Sequence, residues 1–273
     1  MIQPNGGVAE RPGSRFLCCG VRVDALTPEA ARETLANSRF GRPRRVHLCN
    51  AYTLSLAMRK APYRQLLNQS DLNLADGQPV AFVGRRLGHD HLHSSVRGPT
   101  LMLDVLERGQ STGLRHYFYG STPQVCEHLQ REVEARFPAA KVVGLESPPF
   151  RRLTRTESTA LTRRMRAAQP DIVWVGLGTP RQDRFARDFR DRLGTTIVTV
   201  GAGFDFLAGT KPVAPHWMQQ AGLEWLFRLG SEPRRLWRRY LIGNSIFIYG
   251  ATRDLAAVRR EKIQTRQTAR SRL

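Results

Sequence analysis

The sequence predicts an α/β fold in which helices flank a largely parallel sheet and a basic helical appendage follows. Three observations predict it. Short β-branched or apolar runs alternate with helical stretches, as in the β-α units that build parallel sheets. Glycine-containing turns follow two of these runs, at Gly176 and Gly201. After residue 209 the runs stop, and arginines recur every three or four residues. The core is therefore predicted to be Rossmann-like.

The first half of the chain is predicted to contain three strands and four helices. Thr27 suits the N-cap of the first helix, and Pro99 suits an early position of the last. The predicted strands are residues 15–23, 44–50 and 71–77, and the predicted helices are residues 27–38, 52–70, 79–87 and 99–109.

The second half repeats the alternation more regularly. The predicted strands are residues 115–120, 141–146, 171–178 and 196–203, and the predicted helices are residues 122–137, 156–169 and 179–193. In such sheets ligands bind in the crevice beyond the carboxyl ends of the strands. The candidate residues of the core all fall at such ends.

Composition and hydropathy limit the classes of protein that this chain can be. Its 273 residues are 41% hydrophobic, enough to bury a core. No stretch has the roughly 18 to 20 apolar residues that a spanning helix needs, since Asn244 and Ser245 interrupt the longest. The start of the chain lacks the apolar region of a signal peptide. We therefore predict a cytoplasmic protein with a disordered N-terminus (1–14), an α/β core (15–210) and a helical appendage (211–273).

The formal net charge is +20, and residues 228–273 carry twelve Arg and Lys against three Asp and Glu. Such an excess suits nucleic acid, an anionic membrane face or phosphate-bearing ligands. Arg228, Arg235 and Arg238 can share one helical face, where guanidinium groups suit diphosphate oxygens. The same segment has the pattern of a membrane-surface helix. A solvated charged face is the alternative.

Two turns resemble the dinucleotide-binding fingerprint but lack its third glycine. One holds Gly176 and Gly178, and the other holds Gly201 and Gly203. Backbone N–H groups at such turns can bind phosphate. A purely structural role as tight turns is the alternative. We expect no nicotinamide or flavin cofactor.

Four polar side chains stand at strand ends or one helical turn beyond them. Asp76 can act as a general base, and Asn50 can present a donor and an acceptor to the same region. Gln182 can reach a sugar or phosphate, and Asp205 can accept from a ribose or base. Each of the four can instead cap a helix.

The sequence does not predict a metal site. His89, His91 and His93 have a spacing that matches no zinc signature. There is no Asp-x-Asp pair to hold a cation on a nucleotide diphosphate. If the ligand is a nucleotide sugar, cationic side chains must replace the metal.

The successive blocks LNLADGQPVAFVGRRLG, VRGPTLMLDVL, PDIVWVGLGTPRQDRF and VGAGFDFLAGTKPVAPHWMQQAGLEWLFRLGSEPRRLWRRYLIGN carry a family resemblance. In order and spacing, over residues 21–247, the chain resembles the WecG/TagA/CpsF glycosyltransferases. The last block is the most specific.

The resemblance implies metal-independent, inverting transfer of N-acetylmannosamine or a related hexose from a UDP-sugar. The acceptor would be a polyprenyl-diphosphate-linked sugar, at the inner membrane face, in cell-wall or exopolysaccharide synthesis. It also implies self-association. The implied roles are general base for Asp76, active-site contacts for Asn50 and Gln182, a donor contact for Asp205, and closure over the diphosphate for Arg228, Arg235 and Arg238.

The chain departs from the family pattern at Leu48, Ser95 and Thr100, where the family has Thr, Arg and Asp. Arg97 can substitute for the missing arginine as a substrate contact. These departures affect the region where donor and acceptor meet. Two alternatives to the enzyme follow: an inactive protein that binds lipid-linked precursors, and a nucleic-acid-binding protein, for which no signature is present.

Overall fold

The computed structural model describes residues 14–215, 217, 218 and 221–270, without the side chains of residues 235, 261–263 and 265–270. The N-terminus predicted to be disordered lies, apart from Ser14, outside the described residues. Within these ranges, no helix is both long enough and apolar enough to cross a membrane.

The described residues form one sheet of eight strands, in the order β1-β2-β4-β3-β8-β7-β5-β6. Only β1 and β2 pair in antiparallel fashion; the other pairs are parallel. The predicted fold class is confirmed. The strands are β1 Arg15–Cys18, β2 Val21–Asp24, β3 Arg45–Cys49, β4 Leu72–Ala75, β5 Arg115–Gly120, β6 Lys141–Glu146, β7 Ile172–Gly176 and β8 Thr196–Thr199.

Helices cover both faces of the sheet. They are α1 Pro28–Ala36, α2 Ala51–Arg59, α3 Ala61–Asn68, α4 Gln78–Arg86, α5 Gly98–Thr112, α6 Pro123–Arg136, α7 Arg155–Ala168, α8 Arg181–Leu193, α9 Gly203–Leu207, α10 Glu224–Ser231 and α11 Pro233–Arg270. Thr27 caps α1 as predicted, because its side chain accepts from the Ala30 N–H.

The strand predicted over residues 15–23 is instead a hairpin, so that prediction was wrong. Cys19 and Gly20 form its two-residue turn, with φ of 55° and 77°. Positive φ at both central residues gives a turn whose twist matches that of paired strands. Antiparallel pairing at the sheet edge follows from this turn.

The single helix predicted over residues 52–70 is divided into α2 and α3. Lys60 is extended, with φ −131° and ψ 95°. Pro62 has no N–H to donate, and inside a continuous helix its ring would clash with a carbonyl of the preceding turn. The chain therefore ends one helix and starts another.

The core consists of three clusters of buried side chains on the two faces of the sheet. One face carries α1, α5, α6 and α9 around buried Phe118, Trp174 and Phe204. The other carries α2, α3 and α4 in one cluster and α7 and α8 in another. The neighbouring strands β3 and β8 are followed by helices on opposite faces of the sheet. The same holds for the neighbouring strands β5 and β7. Such points open crevices at the carboxyl edge of a sheet.

Helix α11 is part of the core and not only an extension of it. Phe247 and Ala251 belong to the same buried cluster as α2 and α4. Close packing needs glycine at 250, since a Cβ there would lie 2.4 Å from Met58 Sδ. Asp254 accepts a hydrogen bond of 2.6 Å from the Cys19 N–H. The division of the chain at residue 210 stays a prediction.

Candidate functional site

A cleft of about 1090 Å³ runs along the carboxyl edge of the sheet, beneath α10 and the start of α11. The turns after β3, β4, β7 and β8 line it. It brings together ten of the predicted site residues: Asn50, Asp76, Arg97, Gly176, Gly178, Gln182, Gly201, Gly203, Asp205 and Arg228.

Asp76 lies in this cleft directly after β4 and does not cap the following helix. The N-cap of α4 is Gly77, with φ 85° and no side-chain hydrogen bond. The Asp76 carboxylate instead accepts from Asn50 Nδ2, at 3.2 Å. Its orientation therefore leaves it available for chemistry in the cleft.

Asn50 both caps a helix and contacts Asp76, so the two roles predicted as alternatives coexist. Its Oδ1 accepts from the Thr53 N–H at 3.1 Å and from Thr53 Oγ1 at 3.2 Å. This cap at the start of α2 uses the carbonyl end of the amide. The NH₂ end is thereby directed at Asp76.

The pKa of Asp76 is raised above the ordinary value of a carboxyl group. Burial is the largest cause, and the negative charge of Glu224 adds to it. The hydrogen bond from Asn50 and the charges of Arg228 and Arg97 act in the opposite direction. A raised pKa makes a carboxylate a better proton acceptor.

Gln182 is 3% exposed in the first turn of α8. Its Oε1 accepts from the Gly201 N–H at 3.0 Å. The side chain therefore joins the turn after β8 to α8. This hydrogen bond fixes the floor of the cleft between two of its glycine turns.

Sequence reasoning missed the neighbouring Asp183, which is 1% exposed. Its carboxylate lies 2.8 Å from His47 Nδ1, accepts from Tyr63 Oη at 2.7 Å and from Thr199 Oγ1 at 3.4 Å. The network ties β3, α3 and β8 to the start of α8. The sequence signal for this network was His47, a histidine within the buried strand β3.

Both glycine turns have conformations that side chains disfavour. Gly178 and Gly201 have φ of 74° and 58°, in the left-handed region. A Cβ at Gly176 would lie 2.9 Å from the Phe204 ring. These geometries explain the glycines structurally, and phosphate binding by the turns stays a prediction.

The start of α10 crosses the cleft and joins it to the core through Glu224. Arg97 donates to Glu224 Oε2 from Nε at 3.2 Å and from Nη2 at 3.1 Å. Arg228 Nη2 donates to the other oxygen, Oε1. Sequence reasoning missed Glu224, although an acid four residues before an arginine on a helix is a recognised pairing signal.

The other cations of this region differ from the predicted set. Arg239 lines the cleft, with its guanidinium 4.2 Å from the centroid of the Tyr52 ring. Lys211 lies 3.7 Å from an Asp205 oxygen. Arg238 is exposed beside the Trp237 ring and is not a lining residue. The side chain of Arg235 lies outside the described residues.

The departures from the family pattern do not all lie in the cleft. Leu48 is 6% exposed and lines it, packed so closely on α5 that a Cβ at Gly98 would lie 2.6 Å from its Cδ1. Ser95 is buried, Thr100 is exposed, and both border a separate pocket of about 410 Å³. In the part of the chain described, no group of three or more His, Cys, Asp or Glu side chains is arranged to hold a metal ion.

The model of the glycosyl transferase WecG/TagA/CpsF family matches residues 16–261, which include α10 and most of α11. The chain belongs to this family. It is therefore a glycosyltransferase, as the resemblance predicted.

Three curated relatives carry the same name, N-acetylglucosaminyldiphosphoundecaprenol N-acetyl-beta-D-mannosaminyltransferase. The relative from Bacillus spizizenii is 29% identical over 186 residues, 68% of this chain and 70% of the relative. The relative from Bacillus subtilis is 27% identical over 186 residues, again 68% of this chain and 70% of the relative. One from Staphylococcus aureus is 24% identical over 214 residues, 78% of this chain and 81% of the relative.

Proposed function

We propose that this WecG/TagA/CpsF glycosyltransferase transfers N-acetylmannosamine, or a related hexose, from a UDP-sugar to a sugar carried on a polyprenyl diphosphate. The names of the relatives support the acceptor and the sugar. One observation carries the proposal for this chain. Asp76, oriented by Asn50, lies in the same cleft as Arg97, Arg228 and Arg239. A base therefore faces cations that suit a diphosphate.

The proposed reaction is a single displacement. Asp76 accepts the proton of the acceptor hydroxyl while the oxygen attacks the anomeric carbon of the donor. The bond from that carbon to the diphosphate oxygen breaks, and UDP leaves with the electron pair. Attack opposite to the leaving group inverts the anomeric centre. Gln182 and the turn at Gly201 support the sugar between the two reacting groups.

The negative charge that develops on the leaving diphosphate needs compensation. One arginine guanidinium can bind two such oxygens at once, and this interaction is strongest where water is excluded. Arg228 lies on α10 and Arg239 on α11, whereas Arg97 immediately precedes α5. We propose that these residues, and no metal ion, stabilise the leaving group.

The outer face of α11 supports association with an anionic membrane surface. Leu241 is 66% exposed and Ile248 is 59% exposed, and their spacing of seven residues puts them on one face of the helix. Arg234 and Arg238 are exposed near the start of the same helix. Apolar side chains beside arginines suit the boundary between headgroups and acyl chains. We place the protein peripherally at the cytoplasmic face, where lipid-linked acceptors would reach the cleft.

The test is transfer by the full chain from a panel of UDP-sugars to a short-chain lipid-diphosphate N-acetylglucosamine, with EDTA present. Wild type is compared with Asp76→Asn and with Asp104→Asn, a partly buried carboxylate outside the cleft. We expect turnover in wild type and Asp104→Asn and a loss of at least ~100-fold in Asp76→Asn, the scale of general-base catalysis. Binding of the acceptor without turnover of any donor would indicate an inactive precursor-binding protein. A requirement for metal would contradict stabilisation by arginines.

A further inference from the structure

Glu224 is held by two guanidinium groups that belong to different parts of the fold. Arg97 directs Nε and Nη2 at one carboxylate oxygen, at 3.2 and 3.1 Å. Arg228 directs Nη2 at the other oxygen. Guanidinium groups bind the phosphate and carboxylate groups of ligands through charge-assisted hydrogen bonds of this kind. The two arginines therefore form an oxyanion site, and a side chain of the same protein fills it.

The location of this site links it to the reaction. Arg97, Glu224 and Arg228 all line the cleft that contains Asp76. The charge of Glu224 is one of the causes that raise the pKa of Asp76, and the charges of both arginines oppose it. All three groups thus lie near enough to the base to act on its charge. A ligand oxyanion bound by the two arginines would lie beside the base.

We propose that in the ligand-free enzyme Glu224 occupies the oxyanion site of Arg97 and Arg228, and that the diphosphate of the donor displaces it. The identity of the ligand rests on the function proposed above. Arg97 immediately precedes α5, whose start has no side-chain cap, so the positive end of this helix adds to the site. The fold thereby supplies one arginine that precedes α5, one arginine from α10 and an internal competitor.

The competitor has two consequences for binding. The apparent affinity of a ligand is its intrinsic affinity multiplied by the fraction of molecules in which the site is open. A ligand must also replace charge-assisted hydrogen bonds to both arginines, and a diphosphate offers more oxygens for this than a single phosphate. A diphosphate is therefore better able than a single phosphate to displace Glu224.

The test is calorimetric titration of the full chain with inorganic pyrophosphate and, separately, with inorganic phosphate. Glu224→Gln removes the competitor, and Glu232→Gln is the matched control. Glu232 lies just after α10 and pairs with Lys211 at 3.0 Å, so its substitution removes the same charge from the same segment. We expect Glu224→Gln to bind pyrophosphate about tenfold more tightly than wild type, the scale of one charge-assisted pair. The pyrophosphate affinity of Glu232→Gln is expected to stay within about twofold of wild type, a change smaller than one charge-assisted pair produces.

Adding Arg97→Gln to Glu224→Gln is expected to abolish the gain. Wild type and Glu224→Gln are both expected to bind pyrophosphate more tightly than phosphate, because a competitor shared by the two ligands lowers both affinities by the same factor. Unchanged or weaker binding by Glu224→Gln would overturn the proposal, because Glu224 would then only hold the arginines in place. An equal gain in Glu232→Gln would overturn it too, since net charge alone would explain the effect.

Circular dichroism and thermal unfolding establish that each variant is folded. If Glu224→Gln is not folded, Glu224→Asp replaces it, because the shorter side chain keeps the charge but cannot reach both arginines. A smaller gain in pyrophosphate affinity is then expected, and no gain would count against the proposal. These titrations need no turnover. Tighter pyrophosphate binding by Glu224→Gln, without transfer from any UDP-sugar by wild type, would support the oxyanion site and refute the proposed function. Transfer by wild type without tighter binding by Glu224→Gln would support the proposed function and refute the oxyanion site.

Discussion

Replacement of Asn50 separates its two roles, because one residue type preserves the helix cap and another does not. Asn50→Ala removes both the cap of α2 and the hydrogen bond of 3.2 Å to Asp76. Asn50→Ser keeps a good capping side chain, but it is too short to reach Asp76. The pair of variants therefore distinguishes folding from chemistry.

The effect on stability comes from the cap. Loss of an N-cap costs about 1 kcal/mol, which lowers the midpoint of thermal unfolding by roughly 2 to 4 °C in a chain of this size. We expect that shift in Asn50→Ala and a much smaller one in Asn50→Ser. Differential scanning calorimetry measures both.

The effect on activity comes from the pKa of Asp76. The base acts when ionised, so kcat/KM falls as the pH drops through the pKa of Asp76 in the free enzyme. Asn50 donates to the carboxylate and so favours its ionised form. Without that donor the pKa rises further, and the acidic limb of the profile moves to higher pH.

Both variants are expected to show this pH shift, since both lose the donor. Glu224, Arg228 and Arg97 also act on the charge of Asp76 and are unchanged in these variants. A wild-type pH profile in Asn50→Ser would refute the reasoning and would leave Asn50 as a cap only.

Three further predictions follow from the same contacts. Glu224→Gln removes a charge that raises the pKa of Asp76, so the acidic limb of kcat/KM should move to lower pH; a shift to higher pH would contradict this. Phe247→Ala empties a site that is 5% exposed beneath α11 and should cost about 3 to 5 kcal/mol of unfolding free energy, measured by urea denaturation. Leu241→Glu, on the exposed side of the same helix, should leave stability within about 0.5 kcal/mol but weaken co-sedimentation with anionic vesicles; unchanged sedimentation would argue against this membrane face.

The docking of α11 changes what is expected of a shortened chain. If the core ended at residue 210, as the sequence predicts, a chain without residues 223–273 would stay folded but lose membrane affinity and most activity. The structure places Phe247 and Ala251 in a buried cluster with α2 and α4, so this truncation would expose apolar side chains of the core. We therefore expect it to lower stability as well as activity. A truncated chain as stable as the full chain would show that α11 contributes little to the core.

Local patterns were sufficient where neighbouring residues decide the outcome. Alternating apolar runs predicted the strands of the parallel sheet, and the departures from the predicted elements have local causes. Cys19 and Gly20 form a turn with positive φ at both residues. A strand is predicted through them because positive φ is not expected at a cysteine. Pro62 marks the break between α2 and α3.

The candidate site was predicted in part for the same reason. The sequence by itself determined that Asn50, Asp76, Gln182 and Asp205 stand at or near strand ends, because parallel strands bring their carboxyl ends to one edge. It also determined the family, through long blocks with fixed spacing. It left open whether Asn50 and Asp76 cap helices or carry chemistry.

Only the tertiary structure decided how distant segments meet. Asp183 joins His47 and Tyr63, which are 136 and 120 residues away in sequence. Glu224 joins Arg97 across 127 residues. Such contacts depend on the angle at which helices pack over the sheet, and no periodicity along the chain encodes that angle. The sequence determined which groups line the edge of the sheet, whereas packing between distant helices decided which charge faces Asp76.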